Sequence, residues 1–150
     1  MNYKQLPVLI TILAALGSCQ SKETAKPIVG TWELVSATTT EKDTSFSTFD
    51  LTHKMIKIIN ADHFSFLNHK RSTGSDSSSH EFTGGGGKYT LADSVYTEYL
   101  DYFTDKQWEG NTFKFVVKIA NDTLTQKGVE KLEKLGIDRV IIEKYKRVTE

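Results

Sequence analysis

From Val29 onward, apolar residues recur at every second position in short runs, and each run is broken by turn residues. Period-two alternation places one side of a strand in a core and the other in solvent. Few helices and many evenly spaced strands argue against a doubly wound α/β enzyme. Val29 to Ala37 forms the first run. Thr38 to Asp50 is Thr/Ser-rich and aperiodic, so it reads as a long loop or lid. His53 to Asn60 and His63 to Lys70 form a hairpin around Asn60-Ala61-Asp62, and a Ser-rich loop follows from Arg71 to Ser79. His80 to Leu91 is a strand interrupted by four glycines, and Asp93 to Phe103 is an aromatic strand. After a loop over 104–110, Asn111 to Ala120 and Thr123 to Gly128 pair around Asn121-Asp122. Glu130 to Leu135 reads as one helical turn or two, and Asp138 to Val148 as the last strand. About eight strands joined by short turns predict an all-β, up-and-down antiparallel barrel, because closure removes exposed sheet edges. Eight strands leave an interior wide enough for side chains or one small ligand.

Strand faces follow from the alternation. Phe113, Phe115, Val117 and Ile119 share a face opposite Lys114 and Lys118. A three-residue turn at 60–62 would place Ile58 opposite Phe64 and Ile56 opposite Phe66, pairing apolar residues across the hairpin. The same register sets His53 opposite His69. A turn at 92–94 would set Lys88 opposite Glu98. In the last strand Ile141, Glu143, Tyr145 and Arg147 share one face, and Val140, Ile142 and Lys144 the other. Both faces are apolar at the start of that strand, so its inward side stays open.

The N-terminus is of another kind. Residues 6–17 are almost wholly apolar and follow Lys4. They are too few for a spanning helix, which needs ~20 residues, and suit the hydrophobic region of a signal peptide. Leu16-Gly17-Ser18-Cys19 resembles the bacterial lipobox. That resemblance implies acylation of Cys19, the chain's one cysteine, with palmitate-like chains, and cleavage before it; the other reading is an ordinary secretory signal with Cys19 incidental. Stable anchoring takes two acyl chains or more. The expected organisation is a signal peptide over 1–18, a polar tether over 19–27 and a barrel over 28–150. Gln20 after the cysteine favours the outer membrane, with the periplasmic or surface face left open. At ~3.3 Å per extended residue the tether holds the barrel within ~25 Å of the bilayer.

Charge is balanced, with Lys+Arg 19 and Asp+Glu 19. The two signs are interspersed, as on an ordinary solvated surface. No basic field is present to collect nucleic acid.

Gly30-Thr31-Trp32 at the start of the first strand and Arg147 near the end of the last resemble the lipocalin pattern of a G-x-W motif and a stacking arginine. Gly30, Trp32 and Arg147 would then plug the closed end of the barrel. GTWELVS, MIKIINADHFSF, GGGGKYTL, SVYTEYLDYF and EKYKRV, in that order, are similar to a lipocalin-like domain family of Bacteroidota lipoproteins over residues 28–149. The resemblance implies a fold and a compartment, not a substrate. The chain departs from secreted lipocalins in lacking a disulfide and a long C-terminal tail.

The remaining constellations are weighed on chemistry. Gly84-Gly85-Gly86-Gly87 precedes no helix, so it is a strand bend or portal rather than a phosphate loop. His53, His63, His69 and His80 lack the spacing of a zinc site, and no metal or other cofactor is expected. No Ser lies in a nucleophile elbow and no His has an evident orienting carboxylate, so no catalytic residue is assigned. Glu98 with Glu143 is the one carboxylate pair considered. Tyr96, Glu98, Phe113, Phe115, Tyr145 and Arg147 are the candidate ligand-binding residues, with Tyr145 and Arg147 at alternate positions to hold a headgroup. The competing reading has Arg147 packed on Trp32 and paired with a Glu. The expected function is a membrane-anchored barrel holding a small, partly apolar molecule. The alternatives are a ligand-free envelope module with a filled barrel and, at lower weight, an enzyme. Protein partners are not indicated.

Overall fold

The computed structural model describes residues 27–71 and 81–149. The leader, Cys19, most of the tether, the Ser-rich loop over 72–79 and His80 lie outside them. Nine strands form one antiparallel sheet: β1 Gly30–Glu41, β2 Thr44–Ser47, β3 His53–Ile59, β4 His63–Lys70, β5 Phe82–Ala92, β6 Val95–Phe103, β7 Asn111–Ala120, β8 Thr123–Leu132 and β9 Ile137–Arg147. Sequential neighbours pair from β3 to β9, and β1 pairs with both β3 and β9, closing an eight-stranded barrel. The short β2 folds back on the far half of β1, outside the closed ring.

Tight turns carry the meander. Lys42 and Asp43 both take positive φ, as do Asn121 and Asp122. Two successive left-handed residues make the hairpin turn whose twist matches that of the strands, and Asn and Asp tolerate it well. The Asn121-Asp122 turn stands where the alternation placed it. The Lys42-Asp43 turn corrects the reading of 38–50 as a loop: the Thr run continues β1 to Glu41 and returns as β2. β-branched Thr suits a strand even without apolar alternation. Residues 130–135 are likewise strand through Leu132, followed by a single 3-10 turn at Glu133–Leu135 that Gly136 ends at a φ of 66°.

Two expected registers are corrected. Ile59 lies opposite Phe64 and Lys57 opposite Phe66, one residue away from the expected pairing. The Asn60 N–H donates to the His63 carbonyl at 3.0 Å, so only Ala61 and Asp62 lie between the closing pair. The Asn60 side chain accepts from the N–H groups of Asp62 and His63, fixing this shorter turn. The one-residue slip turns β3 over relative to β4, whose Phe64 and Phe66 still face inward. Ile58 therefore points to solvent and Lys57 into the barrel. His53 opposes Lys70 rather than His69, and pairs instead with Asp50 and Glu81. Lys88 opposes Tyr99, and Glu98 opposes Tyr89.

The core fills the end of the barrel where β1 starts. Trp32, Ile28, Ile59, Leu124, Tyr96 and Tyr145 are almost wholly buried there. The Trp32 indole N–H donates to the Ile28 carbonyl at 2.8 Å, and the Arg147 guanidinium lies 4.0 Å from the ring centre. Arg147 also donates to the carbonyls of Val29 and Pro27. Gly30, at a φ of 146°, lies under that guanidinium: a methyl group there would meet Nη1 at 2.5 Å.

On one side of the barrel the charge is predominantly basic, while elsewhere on the described surface both signs mix, as in the Lys54–Glu33 and Lys70–Glu81 pairs. In β7 to β9 the exposed positions carry Lys114, Lys118, Lys127, Lys131, Lys144 and Lys146, with Asp138 the one acid among these outward strand positions. The acids of the same strands, Glu130 and Glu143, turn inward.

Candidate functional site

The opposite half of the barrel holds a cavity of about 210 Å³. Its walls come from β3, β4 and β6 to β9, and the loop after β6 stands at its mouth. That loop carries a 3-10 turn, Lys106–Trp108, started by Asp105, whose carboxylate accepts from the Gln107 N–H. Glu109 accepts from the Phe103 N–H, and Asn111 donates to the Trp108 carbonyl, so the loop is tied back on the barrel. Trp108 thereby joins an arc of rings. Phe66 to Phe103 is 5.7 Å between centres, Phe103 to Trp108 is 5.8 Å, and Trp108 to Phe113 is 6.1 Å. All four line the cavity, with Met55, Leu100, Phe115 and Ile141.

Gly85 gives this arc its room. A methyl group there would lie 2.8 Å from Phe66 and 2.7 Å from Phe103. The glycine run is thus a stretch of β5 with rings and neighbouring backbone laid close over it, and the strand shifts register between Gly86 and Gly87.

The cavity floor is polar. Lys57 Nζ donates to Glu98 Oε1 at 2.8 Å and to Gln126 Oε1 at 3.0 Å. All three side chains are buried. The ammonium also lies within 6 Å of the ring centres of Phe64, Tyr96 and Tyr145, where ring faces attract a cation. Burial pushes the Glu98 carboxyl above its ordinary range; Lys57 opposes that rise and Glu143 adds to it. Nearer the mouth, Arg139 Nε donates to Glu130 Oε2 at 2.7 Å and stands over the Trp108 ring. Glu130 is also raised, by burial first, against the pull of Arg139. The Tyr145 hydroxyl donates to Glu143 at 2.6 Å. Burial, with the Glu143 charge second, holds that phenol protonated far above its usual range. The Tyr96 hydroxyl is shifted the same way by burial and by neighbouring Glu98, and it makes no well-formed hydrogen bond among the described residues.

Of the residues singled out from sequence, Glu98, Phe113 and Phe115 stand on the cavity wall. Tyr96 and Tyr145 lie beneath it, packed around Lys57. Arg147 is at the far, sealed end with Gly30 and Trp32, and its acidic neighbour is Asp122 at 3.7 Å rather than a Glu. Glu143 faces the cavity near Glu98, the carboxylate pairing considered above.

Sequence reasoning missed Lys57, Gln126, Glu130, Arg139 and Trp108. Lys57 was hidden by the slipped hairpin register. Gln126 and Glu130 share the parity of Leu124 and Leu132, and Arg139 that of Ile141 and Tyr145. That signal was present, but it was masked where 130–135 read as helix and where the last strand's inward side stayed open. Among the described residues, no group of three His, Cys, Asp or Glu side chains could hold a metal ion.

Fold and cavity together define an all-β, closed eight-stranded antiparallel barrel, sealed at one end and hollow with a charged floor at the other. A family model described as "Domain of unknown function (DUF4488)" matches residues 27–150, and the chain belongs to that family. No curated protein matches it.

Proposed function

We propose that this protein is a lipocalin-like, lipid-anchored lipoprotein of the outer membrane that holds a small, partly apolar molecule in its barrel. One observation carries the binding reading: an aromatic-walled cavity of about 210 Å³ over a fixed polar floor. Pockets of this kind fix orientation with a few polar groups and gain affinity from apolar walls. The stacked Trp32 and Arg147 at the sealed end support the lipocalin-like assignment. The leader ending at Cys19 supports the anchor, and the domain start near residue 27 leaves a tether of the expected length.

The volume limits the ligand. It lies below the ~300 Å³ at which drug-sized pockets begin, and equals roughly seven waters at ~30 Å³ each. A small molecule, or one end of a longer one, fits. The same volume and the filled lower half favour a second reading, a module whose barrel holds only its own side chains and water. We infer no catalytic role under either reading, because Lys57 and Gln126 engage Glu98 and Arg139 engages Glu130.

Native mass spectrometry of the protein purified from its own host separates the two readings. A co-purifying small molecule lost on denaturation is expected. Apo mass alone, with no binding of small apolar probes, would leave the filled-barrel reading.

A further inference from the structure

Among the described residues, the charged side chains lining the cavity are three carboxylates, Glu98, Glu130 and Glu143, and two bases, Lys57 and Arg139. The bases are already engaged. Lys57 holds Glu98 at 2.8 Å, and Arg139 holds Glu130 at 2.7 Å. Glu143 is left over. Among the described residues it forms no ion pair, and its hydrogen bond comes from the neutral Tyr145 hydroxyl. The strands beside it bring no compensating cation: Gln126 of β8 and Ala37 of β1 are its cross-strand partners. A partly buried carboxylate facing a small cavity is costly unless a positive or donating group meets it. The rest of the wall suits the same guest. Phe66, Phe103, Trp108 and Phe113 form one continuous arc, and their faces attract cations. Arg139 over Trp108 already uses one such face.

We propose that the cavity selects a small organic cation, an alkylammonium compound with its charged head on Glu143 and its apolar part against the aromatic arc. This rests on the carrier reading above and names its ligand class. An anionic headgroup would find both bases neutralised and an uncompensated carboxylate beside it. A neutral guest would leave Glu143 without a partner for its charge. Charge-assisted hydrogen bonding to Glu143 gives the preference its strength.

A chemical-shift titration of the full-length chain tests the preference, with hexylammonium, 1-hexanol and hexanoate as probes. Hexylammonium is expected to bind most tightly and to shift resonances of Trp108, Phe113 and the β9 strand. Glu143→Gln keeps an acceptor for Tyr145 and removes the charge. It should weaken hexylammonium about tenfold or more, equivalent to ~1.4 kcal/mol, while the affinity for 1-hexanol stays the same. Hexanoate binding as tightly as hexylammonium, or an amine affinity unmoved by Glu143→Gln, would overturn the cation assignment and leave the carrier reading standing. Binding of none of the three would overturn both. The order of affinities in the unaltered protein stands as a test even if the variant does not fold.

Discussion

At the scale of single residues, the barrel buries Trp32 at its sealed end and Lys57 in the floor of its cavity. Trp32 is fully buried at the sealed end, hydrogen-bonded through its indole and covered by Arg147. Trp32→Ala should destabilise the fold by ~3–5 kcal/mol, the range of large aromatic truncations, read from urea denaturation. A change near zero would mean the ring contributes no core packing. Lys57 is buried in the middle beside Glu98, and the burial of Glu98, which Lys57 only partly offsets, sets a pH dependence. The folded-state pKa of Glu98 lies above its ordinary value, so the folded state binds that proton more tightly than the unfolded chain. The stability this contributes is complete below the ordinary carboxylate range and is lost as pH rises through the raised pKa. Glu98→Gln cannot titrate. Its stability relative to the unaltered protein should therefore improve as pH rises above the ordinary carboxylate range. A difference constant across that window, followed by thermal denaturation, would contradict the assignment. Lys57 and Trp108 were not legible as cavity residues, because a lysine between isoleucines reads outward and a tryptophan in a loop has no parity.

At the scale of elements, β5 shapes the cavity from behind its aromatic wall, through Gly85 beneath Phe66 and Phe103. Four glycines in a strand weaken it, and they persist here where rings and backbone pass close by. Gly85→Val should cost ~1–3 kcal/mol or more by overpacking against Phe66, Phe103 and the Tyr102 carbonyl, and should abolish probe binding by tilting the arc. Gly110→Ala is the matched control. Nothing lies within 4 Å of a methyl group there, and only its φ of 77° is unfavourable, so the cost should stay near ~1–2 kcal/mol with binding intact. Equal effects from the two would remove the packing explanation. The element scale also shows where alternation succeeds. In β7, Phe113, Phe115 and Val117 are buried while Lys114, Val116 and Lys118 are exposed, as period two requires. It fails in β3, where Met55, Lys57 and Ile59 face inward and Ile58 outward, because turn length rather than hydrophobicity set the register.

At the scale of the whole molecule, closure of β1 on β9 turns a meander into a container. Closure also separates charge: Glu130 and Glu143 of β8 and β9 turn inward while the lysines of those strands gather outside, from a chain whose charges sum to zero. The proposed anchor belongs to this scale. Metabolic labelling with a fatty acid should mark the protein, and Cys19→Ser should remove the label; equal label in both would end the lipoprotein reading. The sequence by itself determined the all-β class, most strand spans, the Asn121-Asp122 turn and the inner face of β7, because period-two alternation and turn chemistry are local. Only the tertiary structure decided the cavity. Lys57 meets Glu98 and Gln126 from 41 and 69 residues away, and each of those contacts depends on cross-strand register. Parity along a strand says which residues share a face. Pairing with the neighbouring strand decides which face is inside, and the compensation of a buried charge depends on that choice.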